Sequence, residues 1–331
     1  MAVERVGITT SVPIEILYAA GVRPLDLNNY FISSGRSESL LAAAESAGWP
    51  RSSCAWAKGV YAAARELGLA RVVGVAEGDC SNAHAMLELL SAEGVEVVRF
   101  GYPYSRERSR LAGELEAFAR AFGVTLADAE SQMARTEAVR ARLREVDRLT
   151  VEGKVTGAEN LNWIISGSDM RGEPEAFGAE IDAFLAEARR RPARAGAPRV
   201  AVTGIPPAFS DLHEQLERSG AAVVLNEFPR QFAMLDGGED LVEMCLNFTY
   251  PYDVFFRLRA LRAELDSRMA DGVIHYVQSF CFRAIQDRLL RQAVARPVLT
   301  LGGDRPGALD GAALTRVEAF VEMLRSRRGS S

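Results

Sequence analysis

The chain has 331 residues, 48% of them apolar and 25% charged, with a formal net charge of −5 at pH 7; these values are typical of a globular protein with two domains. The negative charge argues against nucleic acid or an anionic membrane as the main partner. No apolar run approaches the ~20 residues that span a bilayer, and the opening residues lack a signal-peptide profile, so we expect a cytoplasmic protein without membrane segments.

The N-terminal part alternates between strand-like and helical patterns. Apolar runs predict strands at 5–8, 22–27, 72–76 and 95–100, and the stretches between them predict helices at 12–20, 37–47, 52–68 and 81–93. Ser52 or Ser53 is the predicted N-cap of the helix that carries Cys54. The run 72–76 is almost wholly apolar, as expected of a strand covered on both faces. This β-α-β repetition predicts a parallel sheet with right-handed crossovers.

From about Arg106 to Arg191 strand-like runs nearly vanish and helical periodicity dominates. Helices are predicted at 114–122, 126–149 and 174–190, with a glycine-containing connection at 153–157. Residues 191–198 are rich in Arg, Ala and Pro and have the composition of a linker. We interpret this part of the chain as a helical insert beside the α/β units.

A second α/β unit is predicted to begin at Arg199. Its strands are expected at 199–203, 221–225, 272–277 and 298–301, and its helices at 210–219, after Tyr252 and at 314–324. The helix after Tyr252 is expected to carry Phe255, Leu258 and Leu261 on one apolar face. The predicted organisation is an N-terminal α/β domain at 1–105, a helical region and linker at 106–198, and a C-terminal α/β domain at 199–331.

Three of the four cysteines lie where a predicted strand or loop meets a helix: Cys54, Cys80 and Cys281. A helix start offers free N–H donors and a partial positive charge, which stabilise a thiolate or an anionic iron–sulfur cluster. Cys80 and Cys281 each follow a strand, at the sheet edge where ligands collect, and Cys54 could face the same cleft. Their wide spacing does not suit a zinc ribbon. It fits a [4Fe–4S] cluster with three protein ligands, whose fourth iron would act as Lewis acid and electron donor.

The alternative interpretation is that the cysteines are packed small hydrophobic residues, above all Cys245 in its apolar context. A disulfide framework is not expected in a cytoplasmic chain. The three histidines are too dispersed for a His-rich metal site. His84 lies one turn after Cys80, either within reach of a cluster sulfur or simply on a helix flank. We expect His213 at the surface and His275 packed within its strand.

Several segments together carry a family resemblance. They are Val12–Asn28 (VPIEILYAAGVRPLDLN), Gly78–Asn82 (GDCSN), the stretch from Asp271 to Cys281, and Thr315–Phe320 (TRVEAF). In order and spacing they resemble the opening motif, the second cysteine motif and the closing region of the 2-hydroxyacyl-CoA dehydratase and benzoyl-CoA reductase family. The resemblance spans nearly the whole chain.

The resemblance implies two flavodoxin-like α/β domains with a helical part, and one cluster bound by Cys54, Cys80 and Cys281. It also implies an activator protein that uses ATP hydrolysis to deliver one low-potential electron. In the dehydratases of the family, this electron makes a ketyl radical from the thioester carbonyl, a hydroxyl leaves the neighbouring carbon, and the electron is recovered. A radical is needed because the β-hydrogen of a 2-hydroxyacyl thioester is not acidic.

We therefore predict a [4Fe–4S]-dependent 2-hydroxyacyl-CoA dehydratase-like protein that dehydrates or reduces an acyl-CoA thioester, as a homodimer or with a related subunit. The first alternative is an accessory electron-transfer subunit with the cluster but no substrate site, which an acyl-CoA binding assay would distinguish. The second alternative is a non-catalytic α/β binding protein. Replacing Cys80 with serine would leave the absorption spectrum of such a protein unchanged.

Overall fold

A computed structural model of the chain describes residues 3–329. The strands are β1 (Arg5–Ile8), β2 (Arg23–Asp26), β3 (Arg71–Glu77), β4 (Glu96–Gly101), β5 (Arg199–Gly204), β6 (Ala222–Asn226), β7 (Gly272–Val277) and β8 (Val298–Gly302). The helices are α1 (Ile14–Ala19), α2 (Leu27–Ser33), α3 (Ser37–Ser46), α4 (Ala55–Glu66), α5 (Ser81–Ala92), α6 (Arg108–Ala121), α7 (Leu126–Glu130), α8 (Met133–Val151), α9 (Gly157–Ile165), α10 (Pro174–Ala188), α11 (Leu212–Arg218), α12 (Glu227–Phe232), α13 (Leu241–Asn247), α14 (Val254–Ser267), α15 (Phe282–Ile285), α16 (Asp287–Ala293) and α17 (Gly311–Gly329). Short 3₁₀ helices lie at Ser166–Ser168 and Met170–Gly172.

The chain forms two compact units. The first contains the residues up to Ala141 together with Ile165–Ala179 and Gln231–Asp253. The second contains Arg142–Ile164, Glu180–Arg230 and the residues from Val254 onward. Each unit holds one of the two sheets.

The sheet of the first unit has the strand order β2-β1-β3-β4, and all its strands are parallel. α4 and α5 share an apolar core with β3, in which Val60, Val72 and Leu87 are buried. The absence of a side chain at Gly74 of β3 permits this close packing, because a Cβ there would lie 2.3 Å from Leu87 Cδ2. The carboxyl ends of β1 and β3 mark the point where the chain reverses its direction across the sheet.

The sheet of the second unit has the same plan. Its order is β6-β5-β7-β8, again with all strands parallel. β7 is buried along its whole length. α14 packs on this sheet through Leu258 and Leu261, in a core that also contains Val273 of β7 and Leu290 of α16.

Two parallel sheets covered by helices confirm the predicted α/β class with two flavodoxin-like domains. The strand order that the two sheets share is the order in which the first four strands of flavodoxin-like sheets are arranged. Every strand predicted from the sequence is present within one or two residues of its expected bounds. Along residues 3–329, no helix is both long and apolar enough to cross a membrane.

Several local predictions were wrong. The residue that precedes α4 is Cys54 rather than Ser52 or Ser53, because the Ser53 hydroxyl donates instead to the Pro50 carbonyl at 2.7 Å. The predicted helix 126–149 is two helices, since Thr125 and Asp128 form a capping box for a short α7 that ends at Glu130.

The face predicted for the helix after Tyr252 also needs correction. Leu258 and Leu261 are buried, but Phe255 is 59% exposed. The buried stripe of α14 instead begins at Val254 and continues through Leu265. Phe255 follows Val254 and is rotated by about 100° from it around the helix axis, so it lies outside that buried stripe.

Candidate functional site

Cys80 stands at the carboxyl edge of the first sheet. It follows β3 and directly precedes α5, with extended backbone dihedrals (φ −85°, ψ 167°). The turn before it depends on Gly78, whose φ of +108° favours glycine and whose added Cβ would lie 2.7 Å from Pro251 Cβ. The Asp79 carboxylate accepts a hydrogen bond from the Cys80 N–H at 2.7 Å. This bond holds the backbone of the residue that carries the thiol.

The electrostatics of Cys80 favour a protonated thiol. Burial raises its pKa to about 11, and the negative charge of the Asp79 carboxylate acts in the same direction. The backbone N–H groups of Ala83 and Asn82, in the first turn of α5, act in the opposite direction and lower the pKa of the thiol. The same donors would stabilise a metal-bound thiolate.

Cys54 belongs to the same unit and lies at the start of α4. The loop before it is held by Lys58, which is only 2% exposed. The Lys58 ammonium donates to the Arg51 carbonyl at 3.0 Å and to Glu45 at 2.9 Å. A thiolate at Cys54 would raise the pKa of Cys80 further.

Cys281 occupies the corresponding place in the second unit. It follows β7 and precedes α15, with extended dihedrals (φ −76°, ψ 131°). The loop between them is anchored by Ser279, whose backbone N–H and hydroxyl each donate to Asp304 at 2.6 Å. Phe280 has a φ of +61°, uncommon for an aromatic residue, and its side chain is 84% exposed.

Cationic groups surround Cys281. Burial raises the pKa of its thiol, but the backbone N–H and guanidinium of Arg283, the N–H of Ala284 and the guanidinium of Arg257 all lower it. Arg283 and Arg257 are buried, with exposures of 3% and 1%. A negatively charged ligand at Cys281 would therefore lie near two buried guanidinium groups, of which that of Arg257 is already paired with Glu227.

Arg257 is held by a buried network at the end of the second sheet. It donates to both carboxylate oxygens of Glu227, at 2.8 and 2.6 Å, and to the Thr203 hydroxyl at 2.9 Å. Burial alone would raise the pKa of Glu227, but the pair with Arg257 holds it below its ordinary value. Beside it, His275 pairs with Asp287 at 2.7 Å, and burial lowers the pKa of this histidine.

The opening segment Val12–Asn28 contributes Asp26 to a carboxylate pair that the sequence did not predict. Asp26 caps α2 and receives a hydrogen bond from the Ser168 hydroxyl at 2.6 Å, while its own N–H donates to Asp169 at 2.8 Å. Burial raises the pKa of both carboxyl groups, and the charge of Asp26 helps to raise that of Asp169 to about 7. Asp169 is 143 residues from Asp26, too distant for a sequence motif to connect them.

The other predicted residues fall in varied places. His84 is exposed, and His275 is packed as expected. His213 was expected at the surface but is buried, since its ring nitrogen Nε2 bonds Asn226 of β6 at 2.7 Å. Cys245 is a buried thiol in α13, and burial raises its pKa far above the usual range.

The three thiols predicted from the sequence, at Cys54, Cys80 and Cys281, are of the chemical kind that ligates iron–sulfur clusters. Across the described part of the chain, no three His, Cys, Asp or Glu side chains are grouped to hold one metal ion, and no disulfide joins the cysteines. A cubane attaches its thiolates to different irons, so its ligands lie further apart than those of one ion. At Cys80 and Cys281, backbone N–H groups of the following helix start also lower the pKa of the thiol, and such groups help to tune clusters.

Comparison with known proteins identifies the family. The family model described as 2-hydroxyglutaryl-CoA dehydratase, D-component, matches residues 9–324, from the end of β1 into α17. The matched stretch includes Cys54, Cys80 and Cys281, and it confirms the resemblance predicted from the sequence motifs. A search of curated proteins returned no match.

Proposed function

Because this chain belongs to the 2-hydroxyglutaryl-CoA dehydratase D-component family, we propose that it is a [4Fe–4S]-dependent component acting on an acyl-CoA thioester. Cys54, Cys80 and Cys281 are the proposed cluster ligands. The observation that carries the proposal is the shared position of Cys80 and Cys281. Each directly precedes the helix that follows the third strand of its sheet. Backbone N–H groups of that helix start lower the pKa of each thiol.

The local chemistry supports thiolate ligation at both positions. Burial keeps the thiols protonated, so iron must displace a proton from each sulfur as it binds. The freed negative charge is then compensated by helix N–H groups at Cys80, and by N–H groups with Arg283 and Arg257 at Cys281. Cluster incorporation should therefore become more favourable as the pH rises.

When bound, the cluster would supply one low-potential electron and an iron open to a substrate oxygen. In the proposed reaction the thioester carbonyl accepts that electron, and hydroxide leaves the neighbouring carbon. The β-proton is then lost and the electron is returned, so that the net change is loss of water. An activator protein that hydrolyses ATP is the proposed electron donor, and a related subunit or a second copy is the proposed partner.

Electron paramagnetic resonance of the anaerobically reconstituted, reduced protein tests the function. The proposal predicts a cluster signal that shifts when a 2-hydroxyacyl-CoA is added, because the substrate oxygen reaches the open iron. An unchanged signal together with no acyl-CoA binding would favour the accessory electron-transfer role. Negligible iron and sulfide after reconstitution would contradict both roles.

A further inference from the structure

The first turn of α4 contains a buried lysine. Lys58 is the fourth residue of this helix and is only 2% exposed. Two ordinary preferences disfavour a lysine in this position. Burial removes the ammonium from water, and the start of a helix already carries a partial positive charge. A residue that breaks such local preferences is expected to have a particular task in the protein.

The hydrogen bonds of Lys58 indicate what that task is. Its ammonium donates to Glu45, in the last turn of α3, at 2.9 Å. It also donates to the backbone carbonyl of Arg51, in the loop between α3 and α4, at 3.0 Å. Helical side chains point toward the N-terminus of their helix, so Lys58 reaches from α4 back to this loop. One side chain therefore joins α4 to the preceding helix and to the loop between them.

The loop that Lys58 holds ends at Cys54. The backbone N–H of Lys58 donates to the Cys54 carbonyl at 3.1 Å, while the ammonium holds the Arg51 carbonyl three residues earlier. Just before these residues, the backbone N–H of Ser53 donates to the Pro50 carbonyl at 3.0 Å. Both ends of the segment 51–54 are thus bonded to the same residue of α4. The conformation of the backbone that carries the thiol depends on both bonds.

The polar head of Lys58 contributes something that an apolar side chain would not. An unbranched residue of similar length, such as methionine, is also suited to a buried position on α4. Replacing a buried ion pair with apolar residues is often neutral or even stabilising. The lysine is therefore not required for stability. What its ammonium adds is a bond that fixes the Arg51 carbonyl relative to the helix.

We propose that Lys58 is a positioning residue for Cys54, which fixes the segment 51–54 so that the thiol stands where cluster ligation requires it. This inference rests on the proposed function, in which Cys54 is a cluster ligand. Cys80 is held in a different way, by the turn at Gly78 and by the bond from its own N–H to Asp79. Cys80 therefore serves as an internal reference for any test of Cys54.

Thiol labelling of the full chain before cluster reconstitution tests the positioning role without measuring activity. The folded protein is treated briefly with iodoacetamide, and the modification of each cysteine is quantified by mass spectrometry of its peptide. Lys58→Met keeps an unbranched side chain but removes the ammonium. It should accelerate the labelling of half-buried Cys54 roughly ten-fold, the factor expected for loss of one hydrogen bond from a charged group. The labelling rate of Cys80 should not change.

A second variant separates loss of position from loss of stability. Lys58→Met alone removes the ammonium partner of Glu45 and should lower the melting temperature by several degrees. Lys58→Met/Glu45→Gln also removes the carboxylate charge and should regain most of that loss. Labelling of Cys54 should remain fast in the double variant, because the Arg51 carbonyl still lacks its ammonium donor. If labelling became slow again as stability returned, Lys58 would have only a structural role.

The matched control is Tyr61→Phe, one turn further along α4. It removes the hydrogen bond from the Tyr61 hydroxyl to Glu93 at 2.6 Å but keeps the ring that packs on Trp49. This variant should label at Cys54 as slowly as the unchanged protein. Fast labelling in the control would show that any weakening of α4 exposes the thiol, which would overturn the specific assignment to Lys58.

Chelation of iron from the reconstituted proteins completes the test. An iron chelator should remove iron from Lys58→Met and from the double variant about ten-fold faster than from the unchanged protein, the scale of effect known for residues that orient metal ligands. Equal rates of iron loss, or unchanged labelling of Cys54, would overturn the positioning role while the proposed function stands. If the unchanged protein binds no cluster, the proposed function fails and this inference fails with it.

Discussion

The turns that carry Cys80 and Cys281 occupy the same place in two sheets of the same order, yet their surroundings have opposite charge. At Cys80, the Asp79 carboxylate adds negative charge to the effect of burial. At Cys281, Arg283 and Arg257 oppose the effect of burial. The repeated fold therefore fixes the position of each thiol, whereas the nearby side chains determine how readily that thiol becomes a thiolate.

The backbone of the two turns differs as well. The first uses a glycine, Gly78, in the left-handed region, and the second places Phe280 there. The buried carboxyl groups show a third contrast. The pKa of Asp169 in the first unit is raised, while the pKa of Glu227 in the second is lowered by its pair with Arg257. A single substitution is expected to remove each of these differences between the two units.

The largest effect is expected from Arg257→Met in the second unit. It leaves Glu227 as a buried charge without its guanidinium partner, which costs about 3–5 kcal/mol of unfolding free energy. Denaturant unfolding measures the loss, and the double variant Arg257→Met/Glu227→Gln should recover part of it. If the single variant were as stable as the unchanged protein, the buried pair would have no structural role.

Asp169→Asn should change how stability depends on pH. The folded-state pKa of about 7 lies above the ordinary 3.8, so the folded chain binds more protons between these values and loses stability as the pH rises through them. The loss is at most ~4 kcal/mol for a shift of this size. Unfolding measured from pH 4 to pH 8 should give a flatter profile for the variant, and parallel profiles would contradict this assignment.

Gly78→Ala should destabilise the Cys80 turn by roughly 2–3 kcal/mol, from the left-handed backbone and from collision with Pro251. Gly94→Ala is the matched control, because Gly94 has a φ of +88° but no atom within 4 Å of an added Cβ. Its cost should be only about 1 kcal/mol, the backbone part alone. Equal melting temperatures for the two variants would show that the Pro251 contact is unimportant.

The smallest effect is expected at Phe280. Since the Phe280 side chain is largely exposed, Phe280→Gly loses little packing. It also removes the Cβ, which is the source of strain in a left-handed backbone. This variant should be about 1 kcal/mol more stable than Phe280→Ala, which keeps the Cβ. A Phe280→Ala protein as stable as Phe280→Gly would mean that the turn carries no strain.

The sequence predicted the strands and the helix-start cysteines because both produce local signals. Strands such as β3 and β7 are short apolar runs, and Cys80 follows one of them directly. The Asp26–Asp169 pair was missed because its partners are distant along the chain. Arg257 was missed because a charge on an amphipathic helix is normally solvated, and only the fold shows that it is buried and paired with Glu227.

Short helices such as α2, α12 and α13 were also missed, since six or seven residues give too few turns for a periodic pattern.

The iron content of four serine variants tests the central claim most directly, that thiols from three separate segments bind one cluster. After identical anaerobic reconstitution, the unchanged protein and Cys245→Ser should each hold about four irons per chain. Cys54→Ser, Cys80→Ser and Cys281→Ser should each lose most of that iron and the cluster signal. Full iron content in any of these three variants, or the same loss in Cys245→Ser, would contradict the account.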